Sequence, residues 1–216
     1  MIAEVRARMD RAAGGRAITL IAVSKTQPAE AVEGLYRLGQ RDFGENYVQE
    51  LTEKAAELLR RGCTDIRWHF IGHLQTNKVK QVVPLAYAIH SVDSERLATE
   101  IAKRTTTDKT RVFVEVNLDA EGTKSGTTPE SLEGLLRFIH ATPELECVGL
   151  MCIPDPARVD LAAPFRRLRE LQQKYAPMAG NSLSMGMTAD FEAAIREGAT
   201  HVRIGTALFG NRPIAK

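Results

Sequence analysis

A chain of 216 residues that is 44% hydrophobic and 26% charged holds enough apolar material for one sizeable core, which excludes a disordered polypeptide. Lys and Arg total 29 against 27 Asp and Glu, and a net charge of +2 gives no global reason to expect nucleic-acid binding. No run of about 18 apolar residues occurs, and the charged opening residues lack an apolar signal core, so neither a membrane span nor export is expected.

In chain order, residues 1–12 read as a leading helix, and the apolar, β-branched run 18–24 (ITLIAVS) as the first strand. Segment 28–39 opens with Pro28, sets Val32, Leu35 and Leu38 on one face and stops at Gly39, the proline-in, glycine-out asymmetry of a helix. A strand over 42–47 leads into a helix over 46–61, whose stripe of Val48, Leu51, Ala55, Leu58 and Leu59 ends at Gly62. Next come a strand over 66–72, a helix over 75–83 that stops before Pro84, and a strand over 87–92. Ser94 caps a helix over 94–105. Strand 111–117 precedes a helix over 129–140, with Thr128 as N-cap and Pro129 at its first position. Strand 145–153, helix 160–175, strand 181–186, helix 189–197 and strand 201–206 complete the pattern.

Eight strands alternating with helices admit two architectures, a closed (β/α)8 barrel or an open doubly wound sheet. No Gly-x-Gly-x-x-Gly follows the first strand, which weakens the dinucleotide-binding sheet. The chain ends ten residues after Thr206, where a barrel closes. The expected fold is therefore α/β, a single-domain TIM barrel over residues 1–216. Cys63, Cys147 and Cys152 form no Cys-x-x-Cys pair. They read as reduced, buried thiols in a cytoplasmic protein, with no metal site expected.

Chemistry in such barrels sits at the C-terminal ends of the strands. Lys25 closes the first strand. A lysine at the mouth of a desolvated cavity keeps a free amine near neutral pH and can form a Schiff base with a carbonyl; the other reading is an exposed lysine opening a loop. Ser184-Met185-Gly186-Met187-Thr188 joins the seventh strand to a helix, and Arg203-x-Gly205-Thr206 closes the eighth. Ser184 and Thr206 offer hydroxyls, Gly186 and Gly205 let backbone donors approach, and a helix start favours an anion. The loops after strands seven and eight are the recurrent phosphate position of this architecture; ordinary turns are the alternative. A carbonyl-binding lysine opposite a phosphate cradle points to one ligand bearing an aldehyde and a phosphate. His69 and His73 read as structural, Trp68 as packing, His201 as a surface residue, and Lys124 as a solvated loop cation that could attract anions to the mouth.

These residues lie in segments with a strong likeness. Ala22-Val23-Ser24-Lys25-Thr26, Phe43-Gly44-Glu45-Asn46-Tyr47, Trp68-His69-Phe70-Ile71-Gly72-His73, Lys124-Ser125-Gly126, Ser184-Met185-Gly186-Met187 and Arg203-Ile204-Gly205-Thr206 resemble the pyridoxal 5'-phosphate homeostasis proteins, the YggS/PROSC family. His73 stands where many members carry proline. The resemblance covers nearly the whole chain. It implies a barrel like the N-terminal domain of alanine racemase, with pyridoxal 5'-phosphate held as a Schiff base on Lys25. It implies that Ser184, Gly205 and Thr206 hold the phosphate, that Arg203 faces the pyridine nitrogen and that Asn46 lines the ring pocket.

Three functions follow for comparison: a cofactor carrier without robust catalysis, a pyridoxal-phosphate-dependent amino-acid racemase, and a Schiff-base aldolase using Lys25 alone. The racemase needs an acid–base group on each face of the cofactor, and six residues beyond Gly210 leave no room for a second domain to supply one. Against the aldolase, Arg203 and the ring-sized pocket that the resemblance implies fit a pyridine better than a sugar phosphate. The expected protein is a monomeric intracellular binder of pyridoxal phosphate whose partners are the cofactor and apo forms of the enzymes that use it, with no nucleic-acid or membrane partner.

Overall fold

A computed structural model describes residues 1–106, 108–119 and 125–210. Eight parallel strands close a barrel in sequence order. They are β1 (Thr19–Val23), β2 (Asp42–Glu45), β3 (Arg67–Phe70), β4 (Ala86–Val92), β5 (Thr110–Glu115), β6 (Leu145–Met151), β7 (Ser182–Ser184) and β8 (His201–Ile204). β8 returns to β1 with Thr19 opposite His201 and Ala22 opposite Ile204, which leaves no open edge. Each expected strand falls on an observed one.

The helices are α1 (Ile2–Ala13), α2 (Ala29–Arg37), α3 (Val48–Arg60), α4 (Val79–Val82), α5 (Glu95–Ala102), α6 (Leu132–His140), α7 (Ala162–Lys174), α8 (Phe191–Arg196) and α9 (Thr206–Phe209). Ser94 caps α5 as expected, its hydroxyl accepting from Leu97 N. Most element boundaries differ from the sequence reading by a few residues, and two of these shifts change the role of a residue. Pro129 does not start α6: Ser131 N donates to Thr128 Oγ1 at 3.3 Å in a preceding turn, and α6 begins at Leu132. The eighth strand stops at Ile204, so Thr206 opens the short helix α9 instead of ending a strand.

Strand alternation divides the interior in two. Phe43, Trp68, Phe70, Ile89, Val112, Val114, Leu150, Leu183, Val202 and Ile204 face outward into the apolar layer under the helices. The alternate positions face into the barrel, where Ala88, Phe113 and Met151 form a separate small cluster. His69, His90, Ser184 and Arg203 share that space, each nearly or fully buried. The barrel centre is therefore half polar, and its polar groups must be paired within the protein. Glycines permit close approaches on β6 and just after β7. A Cβ on Gly149 would lie 2.0 Å from Ser182 O across the β6–β7 pair. Gly186 adopts φ +91° and a Cβ there would meet that of Ala194 at 2.6 Å.

Candidate functional site

At the C-terminal end of the barrel, a cavity of about 300 Å³ is lined by Val23, Lys25, Asn46, Ile71, Ile153, Met187, Thr188, Ala189, Arg203, Gly205 and Thr206. Five of the residues expected from sequence, Lys25, Asn46, Arg203, Gly205 and Thr206, meet there from β1, β2, β8 and their loops. A second cavity of about 240 Å³ shares Ile153 and is lined by Glu115, Asn117, Ser125, Pro154 and Pro156 among others.

Lys25 sits on a clamped turn. Ser24 N donates to Gly44 O at 2.9 Å, extending the β1–β2 pairing to the residue before it. Lys54 Nζ, buried on α3, donates to Ser24 O at 2.7 Å, to Glu45 Oε1 at 2.8 Å and to Glu50 Oε2 at 2.7 Å. Ser24 Oγ donates to the same Glu45 oxygen at 2.7 Å. On the other side Thr26 has φ 63°, an unfavourable conformation for a β-branched residue, and its N–H donates to Glu50 Oε2 at 2.7 Å. Both neighbours of Lys25 are thus fixed by one ion-pair cluster, which aims the lysine into the cavity. Burial raises the Glu45 carboxyl against the pull of Lys54.

Asn46 follows β2, and its backbone packs on Gly72, where any Cβ would come within 2.2 Å of Asn46 O. Its Oδ1 is buried with no hydrogen-bond partner among the described residues, an acceptor open to a donor from a ligand. The far wall holds the polar groups suited to an anion. Gly205 and Thr206 begin α9, whose first N–H groups have no partner within the helix. Thr188 brings a hydroxyl from the loop after β7.

Two expected contacts are placed elsewhere. The Ser184 hydroxyl is fully buried and does not line the cavity; it accepts from Arg203 Nη1 at 2.7 Å and meets His90 Nδ1 at 2.9 Å. The sequence reading misses Thr188, four residues further along the same segment. Ser184 is the last residue of β7 and lies one level down inside the barrel, and the loop climbs before presenting its hydroxyl. Gly186 also lies off the cavity wall; its carbonyl accepts from Arg203 N at 3.0 Å, and its missing side chain lets the loop lie on α8.

Arg203 is 4% exposed, donates from Nη2 to Cys152 O at 2.9 Å, and still reaches the cavity. His201 is half-buried rather than exposed: it belongs to β8 and packs edge-on to Phe113 at 5.2 Å, and burial pulls its pKa to about 4. His69 and Trp68 are buried, consistent with structural roles. Cys63 and Cys152 are buried, and Cys147 is half-buried. Burial lifts the Cys147 and Cys152 thiols to about 12, so neither offers a thiolate. No cluster of three or more potential metal-ligating side chains occurs among the described residues, nor is any described helix long and apolar enough to cross a membrane. Lys124 lies outside the described residues.

Residues 2–213 match the family described as alanine racemase, N-terminal domain. The chain is 44% identical to the pyridoxal phosphate homeostasis protein of Pseudomonas aeruginosa, over 98% of this chain and 94% of that one. PipY of Synechococcus elongatus PCC7942, solved with PLP bound, is similar at 37% identity and a TM-score of 0.85, covering 97% of this chain and 98% of its own. Alanine racemase from Corynebacterium glutamicum shares the fold, with a TM-score of 0.67 at 18% identity over 96% of this chain and 59% of its own.

Proposed function

Because the chain belongs to the pyridoxal phosphate homeostasis family, built on the alanine racemase N-terminal barrel, we propose that its cavity binds pyridoxal 5'-phosphate through Lys25 and that its role is intracellular holding and supply of that cofactor. The observation that carries the reading is the joint presence, in one cavity of about 300 Å³, of a clamped lysine, an orphaned amide oxygen, an inward arginine and a helix start with two threonine hydroxyls. The volume and the donor set fit a small aromatic aldehyde bearing a phosphate.

Each residue then has a task. The Lys25 amine condenses with the aldehyde and releases water, so the ligand is retained by a reversible covalent bond. Thr188, Thr206 and the backbone N–H groups at Gly205–Thr206 hold the phosphate without a metal. Asn46 Oδ1 accepts a hydrogen bond at the ring. Arg203 is a permanent donor, so it pairs with an unprotonated ring nitrogen and gives no proton to it. When bound, the cofactor supplies an electron-withdrawing ring, which is strongest with its nitrogen protonated. Arg203 opposes that protonation. Among the described lining residues Lys25 and Arg203 are the ionisable side chains, and the carrier reading assigns racemisation no second base among them. Ile153, half open to solvent at the mouth, leaves the cofactor accessible to exchange with amines or with apo-enzymes.

The test is a titration of the protein with pyridoxal phosphate, followed by L-alanine in heavy water. The expected result is stoichiometric binding, visible as an absorbance band that Lys25→Ala abolishes, with slow or no α-hydrogen exchange. Racemisation at about 1–10³ s⁻¹, the ordinary range for enzymes, would replace the carrier by the racemase.

A further inference from the structure

Five side chains from five strands form one hydrogen-bonded line through the barrel. Arg203 Nη1 meets Ser184 Oγ at 2.7 Å, Ser184 Oγ meets His90 Nδ1 at 2.9 Å, His90 Nε2 meets His69 Nδ1 at 2.9 Å, and His69 Nε2 meets Asp42 Oδ1 at 3.0 Å. Arg67 closes the far end, donating from Nε to Asp42 Oδ1 at 2.7 Å and from Nη2 to Oδ2. None of the four residues from His69 to Arg203 is needed to fill the helix-facing core.

The protons in this line have one arrangement with neutral imidazoles. Burial tends to raise Asp42, but its bonds to Arg67 and His69 prevail and hold the carboxyl down to about 2, so it only accepts. His69 therefore donates from Nε2, and its Nδ1 is left as an acceptor. His90 must donate to that acceptor from Nε2, which leaves its own Nδ1 as an acceptor. Ser184 must then give its single proton to His90, and its oxygen receives Arg203. Burial disfavours the charged form of both histidines, which keeps this arrangement in force at neutral pH.

We propose that Ser184, His90 and His69 are positioning residues for Arg203, a one-way donor line that anchors the guanidinium from below and leaves its remaining N–H groups for the ring-nitrogen end of the cavity. This rests on the reading that the cavity holds pyridoxal phosphate. It also assigns Ser184 a task other than phosphate binding, because its only proton is committed to His90. The Cys152 carbonyl gives the guanidinium a second anchor at 2.9 Å, so its plane is fixed at two points.

The test has two arms. In the first, ¹⁵N-histidine NMR of the cofactor-free protein reads the tautomers directly. His69 and His90 should both carry their proton on Nε2; a proton on His90 Nδ1 would overturn the proposal whether or not any cofactor binds. In the second, Ser184→Ala is loaded with pyridoxal phosphate. The bound cofactor's absorbance band should shift and its release should quicken by about tenfold or more, as befits a lost hydrogen bond to a charged group. Ser184→Thr, which keeps the hydroxyl, should restore both. An unshifted band and unchanged release in Ser184→Ala would overturn the proposal, even with the protein folded and loaded. Should the added methyl of Ser184→Thr prevent folding, the tautomers of the wild-type protein still decide. Failure of the wild-type protein to bind pyridoxal phosphate would instead defeat the functional reading and leave the NMR result to judge the line.

Discussion

Glu115 ends β5 and lines the smaller cavity beside the lysine-bearing one, 7% exposed. Burial, and then the nearby charge of Asp93, raise its carboxyl to about 7, against roughly 4.3 in an unfolded chain. Between those values the folded protein keeps a proton that the unfolded chain has released. The residue's contribution to stability therefore falls as pH rises from about 4.3 to 7. Glu115→Gln cannot ionise, so its stability relative to wild type should grow by about 3 kcal/mol from pH 4 to pH 8. Urea unfolding of both proteins at the two pH values checks this, and a difference independent of pH would mean that Glu115 ionises freely. At the phosphate end, Thr188→Ala with Thr206→Ala should raise the dissociation constant for pyridoxal phosphate about tenfold or more, with circular dichroism unchanged. A chelator should have no effect. Release of the cofactor by a chelator but not by the double substitution would contradict a metal-free cradle. Lys25 and Thr206 were legible as cavity residues because each stands at the C-terminal end of a strand run, whereas Asn46 was singled out by the family resemblance. Ser184 and Thr188 were not separable, because the height of a side chain within a barrel depends on strand tilt and stagger, which no local pattern carries.

Among the elements, α3 does more than cover the sheet. Its Lys54 is the hub that ties Ser24 and Glu45, and its Glu50 ties Thr26, so the turn bearing Lys25 is held by a helix thirty residues away in sequence. Lys54→Met should destabilise the fold by about 3–5 kcal/mol, because Glu45 is left buried without its partner. The pair Lys54→Met with Glu45→Gln should recover part of that loss, and denaturant unfolding of the three variants measures it. Equal stability of Lys54→Met and wild type would show that the cluster does not support the turn. Lys54 falls between Leu51 and Leu58 on the buried stripe of α3, a charge at a core position, but its partners were not legible because only the closed barrel brings it under Ser24. Several of the strands were legible from their apolar runs, and α2 from Pro28 and Gly39. The start of α9 was not, because Thr206-Ala207-Leu208-Phe209 continues the apolar character of β8 while the backbone turns.

On the scale of the whole molecule, the barrel assigns its two faces different work. The outward face of the strands joins the apolar layer that stabilises the fold. The inward face carries few apolar side chains and many polar ones, including the line from Asp42 to Arg203. His201 illustrates why this was hidden: its burial comes from Phe113 and His90 on distant strands, and its own neighbours in sequence look like a surface turn. The proposed carrier role rests on one covalent link at the mouth of this barrel. The most direct test is borohydride reduction of the protein loaded with pyridoxal phosphate, followed by proteolysis and mass spectrometry. The account predicts a phosphopyridoxyl group on the peptide containing Lys25, lost in Lys25→Ala; a reduced adduct found only on another lysine, or a retained cofactor that borohydride fails to fix, would contradict it.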